Sequence, residues 1–525
     1  MRLIAIFYFI YILLFPNTVF AALDYGKQSL LGFDFSGSDL QGATFYLTDL
    51  QDANLSDCDL QGASLYGAKL KNTNLSNSNL REVTLDSANL DGTDLTNTNL
   101  EDSFAFSTQF NDVKITGADF TNVYLPKDVL TQFCKNAKGV NPYKINDLTG
   151  TTIEEDKIES FGLMKDLKLK DSQNVFDANG GTVLPSWNDS HTHLVFAKSR
   201  EKEFIDKING LSYEQIAKKG GGILNSALHL EKISEEILFE NSRQRLQNLI
   251  NLGTGSIEIK SGYGLSLEGE LKILRTIKRL KETFDIEIKS TFLGAHALPK
   301  KYKNNRDKYI DLIINEMLPN IHKEELAEYI DVFCETNYFN IDELDRILDA
   351  GARFNLKPKV HVNQFTSIGG IQKAIKHKAI SVDHLEIMEK NDYDALRNSS
   401  TIATLLPSCS FFINLAYAPA KKLMDKNISF ALASDLNPGS SPNGNMNLVN
   451  SLACIKMKIL PEAVINASTI NGAYAMEISN LTGSITAGKQ ANLIITKPIE
   501  SYPYLFYSFG ENCIERTMVK GKWNK

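Results

Sequence analysis

Residues 181–193 read GTVLPSWNDSHTH and contain the motif that decides the fold, His191-Thr192-His193. The motif follows a short β-like run, 181–185. Because side chains at positions i and i+2 of an extended chain point the same way, the two imidazoles can hold one divalent cation. Two unrelated surface histidines are the alternative interpretation, and the rest of the chain decides between them.

Seven later segments share one form, in which a β-rich run ends in polar residues. The runs are 256–260, 286–293, 329–333, 357–360, 379–382, 401–406 and 428–433. Helical stretches such as 267–284 and 341–355 separate them. With the strand before His191 the total is eight, and this alternation predicts a (β/α)8 TIM barrel over residues 185–479 with its polar groups on one face.

Histidine is concentrated at the ends of these predicted strands. Five of the eight histidines lie there: His191, His193, His296, His361 and His384. The other three, His229, His322 and His377, lie in helical or loop contexts. His361 and Asp435 are the natural completions of the metal site, which would then have three imidazoles, one carboxylate and an open position for water.

The segment before the barrel is an internal repeat with a period of five. From Phe35 to Leu125 every fifth residue is Leu, Phe or Ile, except Ala105, and the residue two positions earlier is nearly always small. This pattern is similar to that of the pentapeptide-repeat family, and the runs 53–55 and 88–90 match it literally. The resemblance implies a right-handed quadrilateral β-helix over residues 31–125, with four pentapeptides per coil.

Negative charge is concentrated in this repeat, which has fourteen acidic and four basic residues. The formal net charge of the whole chain is only −7, and no basic face indicates nucleic-acid binding. The six cysteines have no zinc-binding spacing, and we interpret them mostly as small buried hydrophobic residues. The sequence leaves open a homodimer and an unidentified protein partner for the repeat.

The first 21 residues have the pattern of a signal peptide. Arg2 precedes an apolar run, 3–15, and Val19 and Ala21 occupy the small-residue positions before a cleavage site. An uncleaved anchor is the alternative, but the run is short for a membrane span. The sequence therefore predicts export to the periplasm or beyond, with no stable span, and cytoplasmic residence if the segment is not used.

Six segments of the catalytic part resemble the imidazolonepropionase family of metal-dependent amidohydrolases. They are DSHTHLVFAKSREKEF (189–204), GGGI (220–223), KSGYG (260–264), TFLGAHA (291–297), SVDHLE (381–386) and SDLNPGS (434–440). They occur in family order from about residue 145 to the C-terminus. The HxH motif belongs to the whole superfamily, whereas SREKEF, KSGYG and TFLGAHA are much narrower.

The resemblance implies an enzyme that hydrolyses 4-imidazolone-5-propanoate to N-formimidoyl-L-glutamate. It also implies one Zn²⁺ or iron ion, with His191, His193, His361 and Asp435 as ligands. Residues that would contact substrate or product are Arg200, Tyr263, His296, Gln364, Asn437, Gly439 and Ser440. Asp435 and His384 would relay the proton of the attacking water, and His296 would steady the developing oxyanion.

The resemblance further implies a small composite β-sandwich, made from residues 146–184 and 480–525, with 126–145 as a linker. Arg200 also has a simpler interpretation, as the partner of a helix carboxylate. Two functions compete with the first: another amidohydrolase, acting on a cyclic amide or deaminating a heterocycle, and a non-catalytic pentapeptide-repeat binding protein.

Overall fold

The computed structural model describes residues 23–105, 108–120, 123, 150–162, 176–211, 215–216 and 219–524. The chain divides into two units, Met1–Ile145 and Asn146–Lys525. The predicted signal peptide and the predicted linker lie outside the described residues.

The first unit is a stack of coils of twenty residues each. Every bridge in it is parallel and joins residues twenty apart, from Asp24↔Thr44 to Asn99↔Asp119. A tight turn follows every fifth residue, and Asp, Asn or Gly occupies most of the turn positions with φ near 60°, a conformation that these residues tolerate best. Each coil therefore has four five-residue sides, and the stack begins earlier than the predicted period, at Asp24.

The interior of this solenoid is filled by two kinds of side chain, since each five-residue side contributes one large and one small residue. The large residue of each repeat is almost completely buried, as at Leu55, Leu75 and Leu95. In the small slot, the Thr73 hydroxyl donates to the Leu50 carbonyl oxygen (2.8 Å). Several other buried Ser and Thr hydroxyls donate in the same way to a carbonyl oxygen 23 residues earlier, so most polar side chains in the small slots are hydrogen-bonded inside the solenoid.

The second unit contains an eight-stranded sheet in which neighbouring strands are parallel. In chain order its strands are β4 (Trp187–Thr192), β5 (Thr254–Lys260), β6 (Glu287–Ala295), β7 (Tyr329–Cys334), β8 (Lys357–Val362), β9 (Ser381–His384), β10 (Ile402–Leu405) and β11 (Phe430–Leu432). Their order in the sheet follows their order in the chain. This confirms the predicted TIM-type barrel.

Helices connect the strands and cover the outside of the sheet. The longer ones are Glu201–Ile208, Ile223–Lys232, Glu235–Asn251, Leu267–Thr283, Ile341–Ala352, Lys390–Arg397, Met446–Met457 and Pro461–Ser468. Shorter ones are Arg306–Leu312, Leu318–Lys323, Gly370–Lys376, Pro407–Phe412, Ala420–Asp425, Ile470–Ala475 and Tyr504–Tyr507. None of the described helices has the length and apolar character needed to cross a bilayer.

The barrel closes at the HxH motif itself. Thr192 forms a parallel bridge with Leu436. On either side of it, the Asp435 amide donates to the His191 carbonyl (3.0 Å) and the His193 amide donates to the Leu436 carbonyl (2.8 Å). Backbone hydrogen bonds of three predicted metal ligands, His191, His193 and Asp435, therefore join the first strand to the segment after the last strand.

The run Gly181–Pro185 is strand β3, and it lies outside the barrel. It pairs with β12 (Leu493–Pro498), which continues to β13 (Ile514–Val519) and β14 (Lys522–Trp523) in an antiparallel sheet. A separate hairpin, β1 (Gly150–Glu154) and β2 (Lys157–Gly162), bridges to Gln490 through Lys157. The first barrel strand is therefore the polar segment Trp187–Thr192, which the sequence analysis did not identify as a strand.

A prediction for the solenoid follows from its stacked leucine column. The substitution Leu75→Ala, at a completely buried position, leaves a cavity between coils and should lower the free energy of unfolding by about 2–5 kcal/mol. Lys71→Ala, at an exposed position, is the matched control. Hydrogen exchange of amides 50–100 measures the solenoid separately from the barrel, and equal protection in the two variants would contradict this packing.

Candidate metal centre and catalytic pocket

The four predicted metal ligands lie together at the carboxyl ends of the strands. The Asp435 Oδ1 atom is 3.5 Å from His191 Nε2 and 3.7 Å from His193 Nε2. The His361 Nε2 atom is 3.4 Å from His193 Nε2. All four residues are at most 3% exposed, so the structure brings the predicted set into one buried cluster.

The other ring nitrogen of each ligand histidine faces an acceptor. Nδ1 lies 2.7 Å from Asp383 Oδ2 in His191 and 2.8 Å from Asp331 Oδ2 in His361. In His193 it is 3.4 Å from the Ser261 carbonyl oxygen. These acceptors favour the proton on Nδ1 and leave the Nε2 lone pairs directed at one another, an arrangement that a cation among them would stabilise.

Two further observations fit a metal ion here. His191 Nε2 is buried and has no hydrogen-bond partner. Burial, together with neighbouring positive charge, holds the pKa of His191, His193 and His361 well below the usual histidine value. These imidazoles are therefore neutral, which is the form that binds metals.

A buried charge network lies beneath the cluster. Lys260 Nζ is 2.7 Å from Glu258, 2.8 Å from Asp331 and 3.3 Å from Asp383. Lys359 contacts the second oxygen of Glu258, and all five side chains are completely buried. Burial disfavours the ammonium form, but the three carboxylates outweigh it and raise the pKa of Lys260.

This network was not predicted from the sequence, although two of its residues lie in motifs that resemble those of the family. Lys260 begins KSGYG, and Asp383 is in SVDHLE. The available signal was a charged residue within an apolar strand, as at Glu258 in Ser-Ile-Glu-Ile-Lys. In the structure, Asp331 and Asp383 each hold a ligand histidine while Lys260 joins the two carboxylates.

A small cavity opens beside the cluster. It is lined by all the predicted site residues except His191: His193, Arg200, Tyr263, His296, His361, Gln364, His384, Asp435, Asn437, Gly439 and Ser440. Ile223, Phe333, Phe365 and Ile413 supply apolar walls. The cavity therefore combines a metal-type donor set with a small number of polar groups, as small-molecule sites do.

Arg200 lines this cavity and is also paired with a helix carboxylate. Its Nε and Nη2 atoms donate to Glu203 Oε2 at 2.9 and 2.5 Å. The Glu203 carboxylate in turn accepts from the Gly222 amide (3.1 Å). A Cβ on Gly439 would lie 2.1 Å from Arg200 Nη1, so a larger residue at this position would displace the guanidinium.

His296 is oriented by a backbone carbonyl. Its Nδ1 is 3.0 Å from the Gly262 oxygen, an acceptor only, so this nitrogen carries the proton. Burial lowers the pKa of His296 to about 4, which leaves Nε2 as an acceptor in a neutral ring. This geometry favours accepting a substrate N–H, rather than the predicted donation to an oxyanion.

His384 lies at the end of β9 beside a second carboxylate. Its Nδ1 is 3.6 Å from Glu386 Oε1, which also accepts from the Ser410 hydroxyl at 2.9 Å. Burial alone would lower the pKa of His384, but the charge and hydrogen bond of Glu386, together with the charges of Asp435 and Asp383, outweigh it and raise the pKa above the usual value. Burial likewise raises the pKa of Asp435, to about 6.

The loop after β11 is held by Asn437. Its Oδ1 accepts from the amides of Gly439 and Ser440, each at 2.8 Å, and its Nδ2 donates to the Asp435 carbonyl at 2.7 Å. Gln364 Nε2, on the other side of the cavity, donates to Cys409 Sγ at 3.4 Å. Asn437 thus acts in this structure on the loop that carries Gly439 and Ser440.

Comparison with known families divides the chain as the structure does. Residues 182–524 match the family described as "Amidohydrolase family". Residues 32–65 and 63–102 match "Pentapeptide repeats" in eight copies.

The catalytic part is similar to curated imidazolonepropionases. It is 56% identical to that of Christiangramia forsetii and 55% identical to that of Flavobacterium johnsoniae; each alignment covers 70% of this chain and 90% of the relative. It is 42% identical to that of Geobacillus kaustophilus, over 66% of this chain and 81% of the relative.

Solved structures support the fold alone. An adenosine deaminase from Xanthomonas campestris with bound zinc has a TM-score of 0.55 at 13% identity, over 71% of this chain and 87% of that one. A 5-methylcytosine deaminase from Klebsiella pneumoniae has a TM-score of 0.57 at 14% identity, over 71% and 93%. On the family match and the sequence identities, the chain belongs to the imidazolonepropionase family of amidohydrolases and has pentapeptide repeats in its N-terminal part.

Proposed function

We propose that this chain hydrolyses 4-imidazolone-5-propanoate to N-formimidoyl-L-glutamate. The observation that carries the proposal is one cavity that joins the His/Asp donor cluster to the buried guanidinium of Arg200. The names of the relatives, at 54–56% identity, support the same substrate. The reaction adds water to the ring carbonyl carbon and breaks its bond to the ring nitrogen. The carbonyl carbon becomes a carboxylate, and the nitrogen takes up a proton as part of the formimidoyl group of the product.

The residues that would hold the metal are His191, His193, His361 and Asp435. Imidazole nitrogens with one carboxylate suit Zn²⁺ or iron better than Mg²⁺ or Ca²⁺, which prefer oxygen ligands. When bound, such an ion supplies Lewis acidity to the water and to the ring carbonyl.

Binding of the substrate is assigned to the polar residues of the cavity. Arg200 is the partner for the propanoate, and Glu203 holds one edge of its guanidinium so that the other edge stays beside Gly439. His296 Nε2 accepts a ring N–H, and Tyr263 lines the same wall. Gln364 contributes hydrogen bonds only, because an amide cannot act as a base.

Proton transfer is assigned to Asp435 and His384. Both side chains line the cavity, and Asp435 lies within the donor cluster, so they are placed to take and relay the proton of the attacking water. Glu386, 3.6 Å from His384 Nδ1, stabilises the imidazolium while it holds the proton. The proton then passes to the leaving ring nitrogen.

The site of action is a separate proposal, namely export with cleavage after Ala21. The basic residue, the apolar run and the small residues before the cut support it. The first described residue of the coil stack is Leu23, so cleavage there would leave every described coil intact. A homodimer and a protein partner for the repeat remain predictions.

The metal content tests the donor set. After dialysis against metal-free buffer the purified chain should retain about one equivalent of zinc or iron, as a site with four protein ligands does. His193→Ala should retain far less, whereas His322→Ala, at an exposed histidine, should match the parent. Elemental analysis decides, and full metal content in His193→Ala would contradict this assignment.

The role of Arg200 is tested by steady-state kinetics on 4-imidazolone-5-propanoate. Arg200→Ala should raise KM about ten- to a hundredfold, the effect of losing a hydrogen-bonded charge pair. Arg200→Lys should fall between it and the parent, and Arg243→Ala, at a solvent-exposed ion pair, is the control. Activity on another cyclic amide or on an aminated heterocycle, with none on this compound, would favour the competing amidohydrolase function.

The export proposal is tested by N-terminal sequencing of protein from fractionated cells. Mature protein from the extracytoplasmic fraction should begin at Ala22. Replacing Val19 and Ala21 by arginine should block processing, because the cleavage site requires small residues. An intact Met1 on soluble cytosolic protein would contradict export.

A further inference from the structure

A second group of metal-type donors lies beside the cavity and outside the four-ligand set. His384, Glu386 and Cys409 each offer one donor atom, and these atoms lie within 4.8 Å of one another. All three side chains are buried, at 3%, 6% and 0% exposure. The proton-transfer assignment uses His384, but it leaves Cys409 without a role.

Two atoms of this group lack hydrogen-bond partners. They are His384 Nδ1 and Glu386 Oε2, and both are buried. The other Glu386 oxygen is satisfied by the Ser410 hydroxyl at 2.9 Å. A buried polar atom without a partner costs about 1–3 kcal/mol, so two of them beside a thiol indicate a place for a ligand that supplies positive charge.

The three donors come from two elements whose geometry fixes them. His384 has φ of 90° and Leu385 has φ of 66°, so the backbone after β9 turns sharply between His384 and Glu386. Cys409 lies in the helix Pro407–Phe412, which follows β10. Because β9 and β10 are neighbours in the barrel, the turn and the helix meet at the same edge.

The donor chemistry selects the class of cation. One imidazole, one carboxylate and one thiol suit borderline-soft ions such as Zn²⁺, Co²⁺ or Cd²⁺, and not Mg²⁺ or Ca²⁺. Binding of such an ion to Cys409 would release the thiol proton, because the thiolate is the form that binds metals.

We propose that His384, Glu386 and Cys409 form a second, weaker site for a thiophilic divalent cation, and that its occupation inhibits the enzyme. Three protein ligands make the site exchangeable, in contrast to the four-ligand centre. Coordination would occupy the His384 lone pair that proton transfer needs. The inhibitory part of this inference rests on the proposed function, whereas the cation site does not.

Cobalt substitution tests the site without measuring activity. The four-ligand centre contains only nitrogen and oxygen donors, so the first equivalent of Co²⁺ should give no thiolate-to-cobalt charge-transfer band. Further equivalents should produce this near-ultraviolet band in the parent protein. Cys409→Ser should abolish it, and Glu386→Gln should weaken it. Cys454→Ser, at a half-buried cysteine outside this donor group, is the control and should retain it.

Zinc titration of the activity tests whether occupation of the second site inhibits the enzyme. Zinc added beyond one equivalent should lower kcat in the parent, and Cys409→Ser should raise the half-inhibiting zinc concentration about tenfold or more, as loss of ligand support does at metal sites. A band at the first equivalent, a band that persists in Cys409→Ser, or no band at excess cobalt would overturn the second site. A band without inhibition would overturn the inhibitory role. Inactivity on 4-imidazolone-5-propanoate would instead count against the proposed function, and the cobalt result would still decide the cation site.

Discussion

The catalytic unit depends on one buried positive charge, the Lys260 ammonium group. A lysine with no exposed surface is stable only when carboxylates compensate it. Here Glu258, Asp331 and Asp383 do so, all within 3.3 Å. Removing the Lys260 side chain alone would leave three buried carboxylates with Lys359, the partner of Glu258, as their one remaining ammonium group, which costs more than the loss of one ion pair.

This charge connects the barrel core to the metal centre. Asp383 and Asp331 each bond Lys260 and also hold the Nδ1 atom of a ligand histidine, His191 and His361. Through its Nζ atom and these two carboxylates, Lys260 therefore orients His191 and His361, which lie on different strands. Since Asp435 and the HxH strand close the barrel by backbone bonds, the ligand set, the charge network and the closure of the sheet form a single structural unit.

The sequence was sufficient to predict seven of the eight barrel strands, because apolar runs that end in polar residues are a local pattern. It was insufficient for the eighth, Trp187–Thr192, since Asn188, Asp189 and Ser190 are buried polar residues and have the composition of a loop. The ligands were predictable from their positions at strand ends. Asp331 and Lys260 were not, because a lone charge within a strand looks the same whether it faces solvent or another strand's charge.

The two units pair most of their buried polar groups in different ways, by hydrogen bonds to the backbone in the solenoid and by ion pairs in the barrel. In the solenoid, most buried hydroxyls, such as that of Thr73, donate to carbonyl oxygens of the neighbouring coil, and the Ser103 hydroxyl is an exception. In the barrel, Lys260 and Lys359 are fully paired. The atoms left without partners include His191 Nε2 and His384 Nδ1, both at strand ends near the cavity. Buried polar atoms that lack a partner and lie beside a cavity indicate where a bound ligand would supply the missing partner.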